Sequence, residues 1–167
     1  INQPILLIQV PENGKAKAPS LNRILVALDG SIYSEQVLPS ARALAQTFDA
    51  ELILLSVPAI PEPADYHAPA GVVNLIRSNA EKQMRNFLEA VARSLSEEGI
   101  KVRTTVTGSL PARTIVQVAN KEKASMIMST SRGRGGVDLL LLGSEAQRIV
   151  EKTTKPVFMM PIHDRPD

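Results

Sequence analysis

The chain has 167 residues, enough for one domain with its own core. Its 44% hydrophobic and 22% charged residues are the proportions of a folded globular protein, not a disordered one. Cysteine is absent, which excludes disulfides, thiolate nucleophiles and zinc ribbons, and the two histidines, His67 and His163, leave little for a histidine metal site or triad. A net charge of +2 is too small for a nucleic-acid-binding surface, and three Phe, two Tyr and no Trp leave few platforms for stacking bases. No apolar run approaches the roughly 20 residues of a membrane span and no signal peptide opens the chain, so a cytoplasmic location is expected.

In chain order, Gln3-Pro4-Ile5-Leu6-Leu7-Ile8 opens with a polar residue, a proline and four apolar residues. Lys155-Pro156-Val157-Phe158-Met159-Met160 repeats that pattern near the other end. Proline fits at the first residue of a strand, where a ladder N–H can be missing. Any apolar strand resembles another, which is the competing reading; residues 1–10 are expected to be the closing strand of a preceding, similar domain, a reading that Ile1 in place of methionine favours. They are expected to dock antiparallel on Val157 to Met160 within the chain. Residues 11–20 read as a linker, 21–162 as the main domain and 163–167 as a tail.

Ile24 to Leu28 is an apolar run ending at the turn cluster Asp29-Gly30-Ser31. A helix is predicted from about Ser34, taken as N-cap, with Val37, Leu38, Ala41, Leu44, Ala45 and Phe48 on its apolar stripe. Leu52 to Val57 is the next strand. After the proline-containing stretch 58–70, a long helix carries Val73, Ile76, Ala80, Met84, Phe87, Leu88, Val91 and Leu95 on one face and ends at Gly99. Val102, Thr104 and Val106 alternate with polar residues and predict an edge strand. Pro111 suits the first turn of another helix. Met126 to Met128 is a strand, followed by a glycine-rich loop, a helix from Ser144 to Lys152 and a last strand from Val157 to Met160. Strand alternating with helix predicts an α/β fold with an open five-stranded parallel sheet and helices on both faces.

In such sheets, ligands bind beyond the carboxyl ends of strands, where strand order reverses. The loop after Met128 reads Ser129-Thr130-Ser131-Arg132-Gly133-Arg134-Gly135-Gly136 and runs through Leu142 to Gly143-Ser144. Glycines that let backbone N–H groups converge, two arginines and a helix N-terminus together suit a polyphosphate. Neither the Walker pattern nor G-x-G-x-x-G occurs. A flexible connection is the competing reading of this loop, and a turn former or helix cap that of Asp29. Arg148, Lys152 and Lys155 are expected to complement the dipole of the last helix.

These residues resemble a known family. Arg23 to Ser31 with Ser34-Glu35, then Ser131 to Gly136 with Gly143-Ser144, then Lys155-Pro156-Val157, are similar in order and spacing to universal stress protein domains. The resemblance implies strand order 3-2-1-4-5 in a Rossmann-like sheet. It implies a regulatory module that binds ATP or a related adenine nucleotide, with Mg²⁺ on the triphosphate as in members of this branch, and hydrolyses it slowly at most. Gly133, nine intervening residues and Gly143-Ser144 match the nucleotide loop, whereas Thr130 stands where its first glycine belongs. That β-branched side chain either obstructs the ligand or hydrogen-bonds it. By resemblance, Asp29 would hold ribose hydroxyls or a metal-linked group. Ala27 and Leu28 would shape the adenine side, with Val57 contacting adenine through its backbone. Gly133, Gly143, Ser144 and Glu145 would wrap the phosphates with N–H donors, Thr130 would stand close to ribose or phosphate, and Arg134 of the loop would add positive charge. The alternative is a nucleotide-free dimerising domain of the same family, pairing with a homodimer partner or a tandem domain through Val157 to Met160.

Overall fold

A computed structural model describes residues 3–9, 20–58, 69–108, 110–131 and 144–162. Its strands are β1 (Ile5–Leu7), β2 (Arg23–Ala27), β3 (Glu51–Ser56), β4 (Val102–Val106), β5 (Met126–Thr130) and β6 (Val157–Met160). Its helices are α1 (Leu38–Phe48), α2 (Ala70–Glu97), α3 (Pro111–Lys121) and α4 (Ser144–Lys152). One sheet contains all six strands in the order β1-β6-β5-β2-β3-β4. The five strands from β2 to β6 are parallel and follow the expected 3-2-1-4-5 order, with β4 at an edge. The expected sheet of five parallel strands is corrected to a mixed sheet of six, because β1 adds antiparallel to the outer edge of β6. An edge strand leaves a row of backbone donors and acceptors open, and β1 takes them up. Gln9 Nε2 also donates to the Val150 carbonyl at 3.0 Å.

Strand alternation sends successive side chains to opposite faces and builds two cores. Ile24, Val26 and Leu28 join Leu52, Leu54, Met126 and Met128 in a cluster with Val37, Ala41 and Ala45 of the α1 region and Leu88 and Leu95 of α2. Leu25, Ala27, Leu55, Ile127, Val157 and Met159 meet α3 and α4 on the other face through Ile115, Ala119, Ala146 and Ile149. Apolar side chains on both faces explain why these strands read as continuous runs.

Two expectations need correction. Ser34 is not the N-cap of a continuous helix: Ser34–Val37 is a 3₁₀ turn and α1 begins at Leu38. Pro39 lacks the N–H that a helix continuing through it would need. The long helix buries Val73, Leu88 and Leu95, but Ile76 is 45% exposed. At 28 residues, α2 is about 42 Å long, about twice the length of a strand, so its first turns have less sheet to cover. Gly99, at φ +81°, ends it as predicted. Its N–H donates to Ser96 at 2.9 Å and that of Ile100 to Leu95 at 3.2 Å, the paired bonds of a left-handed glycine terminus.

Charged side chains tie the amino-terminal end of the sheet to α3. Glu51 accepts from Arg103 at 2.6 Å and lies 3.2 Å from Arg23, while Arg103 also reaches Glu122 at 3.1 Å. The Arg103 hydrogen bond, aided by the charges of Arg103 and Arg23, holds the Glu51 carboxyl below its ordinary value near 4.5 despite some desolvation. A carboxyl held low contributes its stability above that ordinary value and loses it as pH falls through the lowered one. Glu51→Gln is therefore expected to be about 0.5–1 kcal/mol less stable than the parent at pH 7, the range of exposed ion pairs. The gap should narrow in urea titrations as pH falls below the ordinary value; a gap unchanged with pH would mean that the charge contributes nothing.

Candidate functional site

β2 continues to the right through α1 to β3, while β5 continues through α4, on the opposite face, to β6. The connections therefore diverge at the carboxyl ends of β2 and β5, where an open parallel sheet forms a crevice. Asp29 lies at this point. Its Oδ1 accepts from the Ser31 N–H at 2.9 Å and the Ser31 hydroxyl at 2.6 Å, closing a turn over Gly30, whose φ is +77°. The Ser31 carbonyl and hydroxyl receive Ser34 Oγ–H at 2.8 Å and Ser34 N–H at 3.1 Å, and the Asp29 N–H donates to Ser34 Oγ at 3.3 Å. Asp29 is thus a turn former, and the turn uses Oδ1, leaving Oδ2 available on the same carboxylate.

The faces of the sheet sort the other residues. Ala27 and Val57 belong to the core shared with α3 and α4. Leu28 packs in the opposite core, so its contribution to the α4 side is backbone; its N–H extends the ladder to the Leu55 carbonyl at 2.9 Å. Thr130 is 5% exposed and follows Met128 by two positions, which puts its side chain on the α1–α2 face. Ser129, next to it, faces the α4 side with Ile127, and its hydroxyl donates to the Thr130 carbonyl at 3.3 Å. Val26 pairs with Met128, so the small side chains of Ala27 and Ser129 lie side by side at the crevice.

The amino ends of α3 and α4 meet along this edge. Glu145, in the first turn of α4, accepts the Ala112 N–H of α3 at 2.9 Å. Its other oxygen accepts from Arg148 at 2.6 Å, so Arg148 neutralises this carboxylate instead of serving the carboxyl end of α4 as expected. Pro111 has no N–H and that of Ala112 is engaged, so the first turn of α4, beginning at the exposed Ser144, carries the donors that helix geometry leaves without intrahelical partners. Its positive dipole end suits an anion. Gly108, leading from β4 toward α3, has φ +82°, and a Cβ there would meet the Thr114 side chain. Gly108→Ala is expected to cost about 1–3 kcal/mol, read as a lower urea midpoint; an unchanged midpoint would show that the loop relaxes freely.

Ala27, Val57, Ser144 and Glu145 thus share the α3–α4 side, Asp29 marks the divide, and Leu28 and Thr130 point to the other side. Gly133, Arg134 and Gly143 lie outside the described residues, as do Arg132, His67 and His163. Ser129 and Ala112 were missed as part of this edge. Counting strand positions back from Thr130 was the available signal for Ser129; nothing local signals the contact between Glu145 and Ala112. Among the described residues, no three of His, Cys, Asp or Glu gather as a metal-binding group, and no helix is long and apolar enough to cross a membrane.

Comparison with known proteins agrees with this architecture. The model of the Universal stress protein family matches residues 20–161. Universal stress protein MJ0531 of Methanocaldococcus jannaschii is 30% identical over 142 residues, covering 83% of this chain and 81% of that protein. YxiE of Bacillus subtilis is 30% identical over 145 residues, covering 83% and 98%. Among solved structures, protein MJ0577 superposes with a TM-score of 0.77 at 25% identity, covering 87% of this chain and 99% of that one. A universal stress protein from Archaeoglobus fulgidus gives 0.67 at 21% identity and matches 99% of this chain, which spans 52% of its length. A family protein from Arabidopsis thaliana, solved with AMP bound, gives 0.59 at 17% identity, covering 85% and 92%.

Proposed function

The chain belongs to the universal stress protein family, and from that premise we propose that it is a stress-response regulatory module whose crevice binds ATP or a related adenine nucleotide. The observation that carries this reading is the convergence of the exposed amino end of α4, the paired small residues Ala27 and Ser129, and Asp29 on one edge of the sheet. The helix end offers backbone donors and positive dipole to phosphate. Ala27 and Ser129 leave space for a flat base or ribose, with Val57 beside them. The Oδ2 of Asp29 would take a ribose hydroxyl or a Mg²⁺ brought by the triphosphate. In the loop, Gly133, Arg134 and Gly143 would complete the phosphate cradle.

Burial of Thr130 on the α1–α2 face favours this reading, since its side chain is directed away from α4. The Arabidopsis relative with AMP bound supports an adenine ligand. Regulation fits better than rapid catalysis, because the residues gathered at this edge supply donors and a carboxylate engaged in its own turn, not a base held against a water. Calorimetric titration of the nucleotide-free chain with Mg-ATP and with AMP tests the proposal. Micromolar binding that disappears in Gly143→Asp supports it. No heat with either nucleotide favours the second reading, a nucleotide-free interaction domain of the same family, supported by a β6 edge that takes a further strand, here β1 of the same chain.

A further inference from the structure

Glu145 is the acidic residue in the first turn of α4, and it does more there than complement the dipole of its own helix. Its Oε2 accepts the Ala112 N–H of α3 at 2.9 Å, and its Oε1 accepts from Arg148 at 2.6 Å. One negative charge thus lies against the positive ends of two helices. Arg148, three positions further along α4, offsets that charge through a solvent-facing pair, its side chain 59% exposed. Such a pair is loosely held.

A phosphate at this helix end meets the same charge. A phosphate oxygen on the Glu145 N–H lies about 2.9 Å from the nitrogen, and four bonds of about 1.5 Å join that nitrogen to the carboxyl carbon. The carboxylate is therefore no farther than about 8 Å from the phosphate, which is the screening length at physiological salt. At that distance, each further negative charge on the ligand weakens binding by about twofold to fourfold.

We propose that Glu145 is a specificity residue of the crevice. Held between Ala112 and Arg148, it makes the amino end of α4 discriminate among nucleotides by their negative charge. A monophosphate or a magnesium-neutralised triphosphate is favoured over a bare triphosphate. Arg148 sets the strength of the discrimination by neutralising Glu145 in part. The inference rests on the nucleotide reading above and deepens it.

The test compares the parent chain with Glu145→Gln and Arg148→Gln. The glutamine at 145 keeps a carbonyl oxygen for the Ala112 N–H, so the contact between α3 and α4 survives while the charge goes. Arg113, exposed in the first turn of α3, and the loop arginines Arg132 and Arg134 are common to all three chains, so their charge cancels in the comparison. Calorimetric titrations use AMP, ADP and ATP in EDTA at pH 8, where the ligands carry about two, three and four negative charges. They are run at about 10 mM ionic strength, where screening reaches only over about 30 Å, and Mg-ATP is titrated separately. Thermal unfolding without ligand checks that each chain is folded.

Glu145→Gln is expected to bind every ligand more tightly, with a gain that grows about twofold for each added charge. Arg148→Gln is expected to do the reverse, losing more affinity for ATP than for AMP. Mg-ATP should respond to both substitutions about as AMP does. Changes of equal factor for AMP and bare ATP, or changes of the same sign in the two variants, overturn the inference and leave the nucleotide reading standing. No binding of any ligand to any of the three chains overturns the nucleotide reading, and the inference with it.

Discussion

Replacing Asp29 by alanine should weaken Mg-ATP binding roughly tenfold to a hundredfold, the loss expected for one charge-assisted hydrogen bond of about 1.5–3 kcal/mol. The same substitution removes the acceptor for both the Ser31 N–H and hydroxyl. It should therefore also lower stability without nucleotide by about 1–2 kcal/mol. The two effects separate with Asp29→Asn. An asparagine Oδ1 still accepts from Ser31, so the turn over Gly30 should hold and unfolding should stay near the parent. Its amide lacks the charge for a magnesium-linked phosphate and presents a donor in place of Oδ2, so affinity should remain reduced. Thermal unfolding without nucleotide and calorimetry with it read the two effects independently. If Asp29→Ala binds within twofold of the parent, Asp29 is a turn former and nothing more.

Leu54→Ala should be the most destabilising of the single changes considered. Leu54 is fully buried in β3, between β2 and β4, in the core that joins Val26, Met128 and Leu88. Truncating such a side chain costs about 2–5 kcal/mol, because packed neighbours collapse only partly into the space. Against a total stability of about 5–15 kcal/mol, that is a large fraction of what holds the chain folded. The urea midpoint should fall with little change in slope. Leu75→Ala, on the exposed first turns of α2, is the natural control and should move it by less than about 0.5 kcal/mol. Equal effects at the two positions would contradict the assignment of the core.

The elements that proved legible from sequence are those whose physics is local or periodic. Apolar runs at 24–28 and 126–128 mark strands covered on both faces, the alternation of Val102 and Val106 with polar residues marks the edge strand, and Gly99 marks the end of α2. The bounds of α4 and β6 fall at the residues expected. Ser34 was misread because a serine before an apolar stripe looks like a cap, whereas here it is buried and bound to the Asp29 turn. Ile76 follows the helical period but lies on a stretch of α2 that outruns the sheet, and residue spacing carries no information on that length mismatch.

The candidate site divides in the same way. The loop at Asp29 and the helix start at Ser144 can be located from the end of an apolar run and the beginning of a helical pattern, whereas Ala27 comes from resemblance alone. Which face of the sheet Thr130 occupies is a matter of parity, which depends on where β5 begins its pleat and which residue spacing alone does not fix. The contact of Glu145 with Ala112 spans 33 positions and arises only once α3 and α4 pack together. The Glu145 carboxylate, expected beside the phosphates, accepts an N–H from the first turn of the neighbouring helix α3.

The most direct test of the nucleotide site is an amide ¹H–¹⁵N shift map of the chain with and without Mg-ATP. Saturable shifts are expected at Ala27 to Gly30, Val57, Ser129, Ala112, Ser144 and Glu145, with Arg103 and Glu122 at the far end of the sheet unmoved. An unchanged spectrum at millimolar nucleotide, or shifts centred on Val72 to Ile76 of α2, would contradict it.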